Sequence, residues 1–120
     1  MSDYPKAIKR LLRQWATEAY ENELCIELTK LDRSFTEWRS GGISSGELSY
    51  RIHQYETHAS REMFIRYNNG DDAINVAYAI VTGLIKQEVS SEVLAAIEGH
   101  LSYYEALKKR GGLRMQGEEK

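Results

Sequence analysis

Three features of the sequence predict an all-α protein: a four-helix bundle-like domain with one long N-terminal helix and short loops. After Pro5, no proline or glycine occurs before Gly41-Gly42, and residues that favour helices dominate the stretch between them. Three later segments repeat apolar residues at helical spacing and follow capping residues. The segment 77–84 is rich in β-branched residues, but no second strand candidate exists to pair with it.

The first helix is predicted over the stretch 4–39. The fixed φ of Pro5 suits a first helical turn, and Asp3 lies just upstream as a candidate cap. About 34 residues at about 1.5 Å each give about 50 Å of helix. A compact chain of this length has a radius of gyration of only about 14 Å. We therefore expect this helix either to bend or to project from the rest of the domain.

The apolar residues of this helix form two separate stripes. The stripe of the first half contains Ile8, Leu12, Trp15 and Ala19. The stripe of the second half contains Leu24, Leu28, Leu31, Phe35 and Trp38. The second stripe lies roughly 140–180° around the helix from the first, so the two halves must pack against different neighbours. Either the helix is kinked or buried on both sides within its own bundle, or one of the two stripes faces another copy of the chain.

Three further helices follow in order. The second is predicted over residues 45–67, with a capping box formed by Ser44 and Glu47, and it ends at Asn68-Asn69-Gly70. The third is capped at Asp71 and Asp72 and continues to about Ile85. The fourth follows Ser90-Ser91 and runs to about Lys109, before Gly111-Gly112. The predicted inner positions of these helices are Leu48, Ile52, Tyr55, Ala59, Met63, Ile74, Ala77, Val81, Leu84, Ile85, Val93, Ile97, Leu101, Tyr104 and Leu107.

The predicted domain organisation is one helical-bundle domain over residues 1–112 and a disordered tail over 113–120. The predicted helices have unequal lengths, so the first helix should extend beyond the others. This overhang favours a homodimer in which the exposed part of the first helix packs against the second copy. Eight tyrosines against two phenylalanines also favour association, since tyrosine is enriched in interfaces.

Composition argues against several classes of protein, namely nucleic-acid-binding, disulfide-stabilised and membrane-spanning proteins. The net charge of −2 does not favour binding to nucleic acid or to an anionic membrane, and no docking motif for nucleic acid is present. The single cysteine, Cys25, cannot form an internal disulfide or a cysteine-based zinc site. No apolar run has the length of a membrane span, and the N-terminus lacks the pattern of a signal peptide. We expect a cytoplasmic protein.

Polar residues on an apolar stripe are candidates for a buried polar cluster. Glu62 and Arg66 continue the stripe of the second helix at the spacing of an intrahelical ion pair, and His100 lies on the inner face of the fourth. We expect these three residues to be partly buried. The alternatives are an internal salt-bridge cluster that fixes helix register, a ligand-binding or catalytic pocket, or exposure near a helix end.

A second candidate site is the pair His53 and Glu56, which share one side of the second helix. Metal sites in bundles use Glu-x-x-His pairs repeated on two helices. Here the order is reversed, the motif is not repeated, and His58 points away from His53. The pair is a candidate ligand or metal flank, but solvated surface residues are the simpler interpretation, and no metal or cofactor is predicted.

A third candidate is the basic stripe Lys6, Lys9, Arg10 and Arg13, which has no acidic residue between Pro5 and Thr17. Cations at a helix N-terminus oppose the helix dipole at a cost of a few tenths of a kcal/mol each. The stripe could contact an acidic partner or nucleic acid, and an ordinary solvated face is the alternative.

No catalytic residues are predicted, because the sequence has no nucleophile elbow and no glycine-rich phosphate loop. The favoured hypothesis is a non-enzymatic interaction or regulatory module that associates with itself through the long first helix. The second stripe is a possible dimer face, although the sequence does not decide which half of the helix meets the other chain. The alternatives are a ligand- or metal-binding bundle enzyme that uses the polar cluster, and a binder of acidic partners or nucleic acid that uses the basic stripe.

Overall fold

A computed structural model describes residues 4–113 and has helices but no strands within that range. Its elements are α1 (Lys6–Arg39), α2 (Ser45–Gln54), a π-helical turn (Tyr55–Ser60), α3 (Arg61–Asn69), α4 (Asp72–Thr82), α5 (Ser91–Ala96) and α6 (Glu98–Lys109). The predicted all-α class with one long N-terminal helix is confirmed. The proposed Asp3 cap and residues 114–120 of the predicted tail lie outside the described residues.

Helix α1 runs the full length of the fold. Pro5 occupies its N-cap position, and the chain leaves the helix at Ser40-Gly41, where Gly41 has a φ of 86°. The described chain measures 53 × 29 × 23 Å. Its longest dimension matches a nearly straight helix of 34 residues, which spans about 51 Å. The radius of gyration, 16.8 Å, accordingly exceeds that of a compact domain.

The second predicted helix is continuous in space but contains the π-helical turn. Ser44 Oγ accepts a hydrogen bond from the Glu47 N–H at 3.0 Å, so one half of the predicted capping box is present. The Glu47 carboxylate does not complete the box, because it accepts a bond from Arg51 Nε at 2.9 Å instead. Within the π-helical turn, the Thr57 hydroxyl donates to the His53 carbonyl at 2.8 Å. Such side-chain bonds compete with the regular helical ladder.

Helix α4 ends earlier than predicted. Its cap is the predicted one, since Asp71 Oδ1 accepts a hydrogen bond from the Ala73 N–H at 2.8 Å. It ends at Thr82 because Gly83 adopts the left-handed conformation with a φ of 88°, which glycine tolerates without strain. The prediction that this helix continues to Ile85 is therefore wrong. Ile85 is nonetheless buried, because the chain turns back onto the core.

The fourth predicted helix is two helices, α5 and α6. Ser90 Oγ caps α5 by accepting from the Val93 N–H at 3.4 Å. The helical path is interrupted at Ile97, whose φ and ψ are −113° and 22°. Ile97 is 1 % exposed, so burial of its side chain accompanies the break. Helix α6 ends at Lys109, with Arg110 as its C-cap before Gly111, as predicted for this glycine pair.

The hydrophobic core lies in a part of the fold that we call the base, residues 4–23 and 70–113. The first half of α1 packs there on α4 and α5, and α6 packs on α4. Helix α4 runs parallel to α1: Arg13 approaches Asp72 at 3.7 Å near one end, and Asn22 Nδ2 donates to the Leu84 carbonyl at 2.9 Å near the other. The main core residues are Leu12, Ala16, Ala19, Ala73, Val76, Ala77, Ala79, Leu84, Ile85, Val89, Val93 and Ile97.

The remaining residues, 24–69, form what we call the arm. Here the second half of α1 packs antiparallel to α2, the π-helical turn and α3. The Trp38 indole N–H donates to Ser45 Oγ at 3.0 Å at the tip, and the Arg51 guanidinium donates to Ser34 Oγ at 3.1 Å further along. Among the described elements, α2 contacts only α1 and the π-helical turn that continues it. The two halves of α1 therefore have different neighbours, as the two stripes predicted, and both neighbours belong to its own chain.

Candidate functional site

A polar cluster joins the arm to the base. The Arg66 guanidinium on α3 donates two hydrogen bonds to the Glu23 carboxylate on α1, at 2.9 and 3.2 Å. The Tyr67 hydroxyl donates to the same carboxylate at 2.9 Å. Both oxygens of Glu23 are thus used, and the side chain is largely buried. Bidentate, charge-assisted bonds of this kind fix geometry as well as adding stability.

Aromatic rings surround this ion pair. The guanidinium carbon of Arg66 lies 5.1 Å from the centroid of the Tyr67 ring and 5.7 Å from that of Tyr78. Tyr67 stacks on Tyr20 of α1 with centroids 4.9 Å apart, and Tyr78 meets Tyr104 of α6 edge-on at 5.6 Å. These contacts link α1, α3, α4 and α6 at a single point.

The surroundings of the cluster shift its pKa values. Burial alone lowers the pKa of Arg66, but the hydrogen bonds and charge of Glu23 outweigh burial and raise it above its ordinary value. Burial and then the charge of Glu23 raise the pKa of Tyr67 well above that of a free phenol. Burial also raises the pKa of Tyr104. These shifts favour a charged Arg66 and a neutral Tyr67 and Tyr104.

The predicted cluster of Glu62, Arg66 and His100 is only partly present. Arg66 is half-buried, as expected, and His100 is also of intermediate exposure, but Glu62 is exposed. The expected burial of Glu62 is wrong, and Arg66 pairs with Glu23 rather than with its helical neighbour. A surface pair within one helix stabilises by only a few tenths of a kcal/mol, whereas Glu23 offers two charge-assisted bonds in a partly dry site.

Sequence reasoning missed Glu23, although a signal for it existed. Leu12, Ala16, Ala19 and Glu23 repeat at spacings of 4, 3 and 4. Glu23 therefore continues the most buried line of α1 as a charged residue, and a buried charge requires a partner. The sequence alone could have indicated that a cation from another helix reaches this position.

The candidate metal flank has no further ligands around it. His53 and Glu56 are both exposed, and the π-helical turn begins between them at Tyr55. His58 Nδ1 lies 2.9 Å from Thr57 Oγ1. Within residues 4–113, no group of three histidine, cysteine, aspartate or glutamate side chains is arranged to hold a metal ion.

The basic stripe lies on the surface of the base. Lys6, Lys9, Arg10 and Arg13 are all exposed, and the first turn of α1 contains no acidic residue. The contact of Arg13 with Asp72 is long, at 3.7 Å, and 79 % of the Arg13 side chain is accessible to solvent. An exposed pair of this kind contributes about 0–1 kcal/mol. The stripe therefore presents its positive charge to solvent.

The arm has few buried and many exposed apolar residues. Of the 15 buried hydrophobic residues within the described chain, only Leu48 and Met63 belong to the arm. Six of the eight large hydrophobic residues that are exposed lie on the arm, namely Leu28, Trp38, Tyr50, Ile52, Phe64 and Ile65. In the second stripe, Leu28 is 48 % exposed, and Leu24, Leu31 and Phe35 are half-buried. The packing of α1 on α2 and α3 thus leaves one edge of this stripe uncovered.

Polar side chains occupy much of the contact between the two layers of the arm. Ser34 is the buried residue of α1 there, and Arg51 bonds to Ser34, Glu37 and Glu47 at 3.1, 2.8 and 2.9 Å. These carboxylates raise the pKa of Arg51. An open cleft of about 280 Å³ lies between α1 and the π-helical turn. The two basic residues that line the cleft, Lys30 and Arg51, are each paired with a carboxylate. Neither of them is therefore an unpaired cation that could bind a ligand.

The fold and its surfaces define an all-α protein with a packed base and a two-layered, apolar-edged arm. No protein family matches the chain, and no curated protein or solved structure is significantly similar to it. In the described range 4–113, no helix combines the length and the hydropathy needed to cross a bilayer.

Proposed function

We propose that this chain is a non-enzymatic interaction module that associates with a second copy of itself through the apolar edge of the arm. The interface would centre on the second stripe of α1, Leu24, Leu28, Leu31, Phe35 and Trp38. The observation that carries this proposal is the unequal distribution of apolar residues: the arm contributes two buried hydrophobic residues and six large exposed ones.

The arm has only two helical layers, which supports the proposal that a partner packs against it. Two helical layers can cover only one side of each other, and helices gain most of their stability from packing of an apolar face. The arm has only Leu48 and Met63 as buried hydrophobic residues, and Arg51 meets the buried Ser34 of α1 through a hydrogen bond. A second arm placed against the edge that contains Leu28 would supply the apolar layer that the monomer lacks.

The charge of the arm suits a second copy better than a strongly charged partner. Residues 24–69 contain six basic and six acidic residues, with histidines counted as neutral. In a two-fold symmetric dimer, the same surface of each copy contacts its counterpart on the other copy. This surface must therefore be complementary to itself. An apolar edge on an arm without net charge meets this condition, whereas a surface with a large net charge would repel its copy.

Sedimentation velocity over about 1–100 µM, the range in which weak and moderate dimers dissociate, tests the proposal. Wild-type protein should be dimeric at the upper end, and Leu28→Glu should be monomeric, because it places a desolvated charge in the interface. The matched control is Ile74→Glu, which makes the same change at a 37 % exposed residue of the base and should leave the dimer intact.

Far-UV circular dichroism must show the same helicity for both variants and for the wild type, so that loss of the dimer is separated from loss of the fold. A folded wild-type monomer at every concentration would contradict the proposal. Equal dimerisation of Leu28→Glu and wild type would exclude this surface.

A further inference from the structure

The basic stripe and the second apolar stripe occupy the same face of α1. Lys6 and Leu24 are 18 residues apart, as are Arg10 and Leu28, and Arg13 and Leu31. Eighteen residues make five complete helical turns, so the members of each pair point in the same direction. The helix is nearly straight, since the molecule is 53 Å long. One continuous face of α1 is therefore cationic in its first half and apolar in its second.

This arrangement decides how two copies can meet. In a parallel dimer, each basic stripe would lie opposite its copy, and the two α1 dipoles would also be aligned unfavourably. In an antiparallel dimer centred on Leu31, the midpoint of the apolar stripe, the arms overlap and the bases lie at opposite ends. The two Arg10 residues are then about 60 Å apart, at about 1.5 Å per residue. That distance is several times the screening length of about 10 Å at 0.1 M salt.

We infer that the dimer is antiparallel about a two-fold axis near Leu31, with the arms in contact and the two basic stripes at its far ends. This inference rests on the proposed function, since it requires the arm to be the interface. It adds the orientation of the partner and a consequence: a dimer with two well-separated basic stripes, each outside the contact between copies.

Spin-label distances measure the orientation directly. Gln14, Cys25 and Asp32 are exposed and lie on one flank of α1, beside the proposed interface. The exposed Cys25 carries the label in the wild-type chain. The other two positions are labelled as Gln14→Cys and Asp32→Cys in a Cys25→Ala background. All three proteins are full-length and should show wild-type circular dichroism and sedimentation.

The antiparallel dimer predicts inter-copy backbone distances that depend strongly on position. With helix axes about 10 Å apart and a rise of about 1.5 Å per residue, the distances are about 50 Å at residue 14, about 20 Å at residue 25 and about 10 Å at residue 32. A parallel dimer predicts nearly the same distance at all three positions. The steep dependence supports the inference, and a constant distance overturns it while leaving the proposed function intact.

Salt dependence gives an independent measurement. The dissociation constant of the antiparallel dimer should change less than about twofold between 50 and 300 mM NaCl, because the basic stripes are too far apart to repel each other. A parallel dimer should tighten markedly with salt, and reversing Lys9 and Arg10 to glutamate should alter its affinity. A wild-type chain without any dipolar coupling at 100 µM overturns both this inference and the proposed function.

Discussion

The Glu23 carboxylate on α1 accepts two hydrogen bonds from the Arg66 guanidinium on α3, at 2.9 and 3.2 Å. This pair fastens the arm to the base, because Glu23 lies where α1 passes from one to the other and Arg66 lies near the end of α3. The same carboxylate also accepts a bond from Tyr67. Loss of Glu23 would leave a half-buried cation and a half-buried hydroxyl without their acceptor.

Glu23→Gln should therefore lower the free energy of unfolding by about 1–2 kcal/mol, since hydrogen bonds to charged groups contribute on this scale. The measurement is urea denaturation followed by circular dichroism. Glu62→Gln is the matched control, because Glu62 is exposed and lies one turn from Arg66 on the same helix. It should change stability by less than about 0.5 kcal/mol. A larger effect from Glu62→Gln than from Glu23→Gln would contradict the observed pairing.

The raised pKa of Tyr67 predicts a loss of stability in alkali. Its folded-state pKa lies above the value of 10.0 for a free phenol. As pH rises above about 10, the unfolded chain releases this proton before the folded chain does, so the free energy of unfolding falls, by at most about 1.4 kcal/mol per pH unit. Below that pH the contribution is complete and constant.

Tyr67→Phe should therefore reduce the slope of stability against pH between about pH 10 and 11, the range above the ordinary tyrosine pKa. The measurement is urea denaturation at a series of pH values. Tyr50→Phe, at a residue 57 % exposed, is the control and should retain the wild-type slope. Identical slopes for all three proteins would show that Tyr67 does not contribute.

Gly70 is required for the close approach between the end of α3 and the start of α4. A Cβ atom at this position would collide with the Arg66 carbonyl oxygen and press on Asn75 Nδ2, which donates to the same carbonyl. Gly70→Ala should therefore destabilise the protein by about 1–3 kcal/mol, the usual range for overpacking. In Gly46→Ala, a control within the first turn of α2, the added methyl group would meet only Ser44 Oγ at 3.8 Å. Thermal melts should rank Gly70→Ala well below this control.

Leu12 and Leu28 separate the packing of the monomer from its association. Leu12 is 2 % exposed in the base, and Leu28 is 48 % exposed on the arm. Leu12→Ala should cost about 2–5 kcal/mol of unfolding free energy at any protein concentration. Leu28→Ala should cost less than about 1 kcal/mol at concentrations where the protein is monomeric, and should chiefly weaken the dimer. Denaturation curves at two concentrations measure both effects, and equal costs at low concentration would contradict the assigned exposures.

Local chemistry explains which elements were predictable. Helix starts at Ser44, Asp71 and Ser90 follow from side chains that bond to backbone N–H groups a few residues away. Such bonds depend on the neighbouring sequence alone. The early end of α4 at Gly83 and the break at Ile97 were not predicted. The prediction relied on the spacing of apolar residues, and apolar residues at or beyond these two points are buried although the helix does not continue.

The sequence by itself determined the all-α class, the length of α1, the caps and the two-sided character of α1, since all of these arise from spacing and local bonding. Only the tertiary structure decided that Arg66 pairs with Glu23 rather than with Glu62, that α4 lies parallel to α1, and that the arm leaves Leu28 uncovered. These facts depend on which surfaces meet across long separations in the chain. Helical periodicity shows which face of a helix is apolar, but the competition among all faces for burial decides its neighbour.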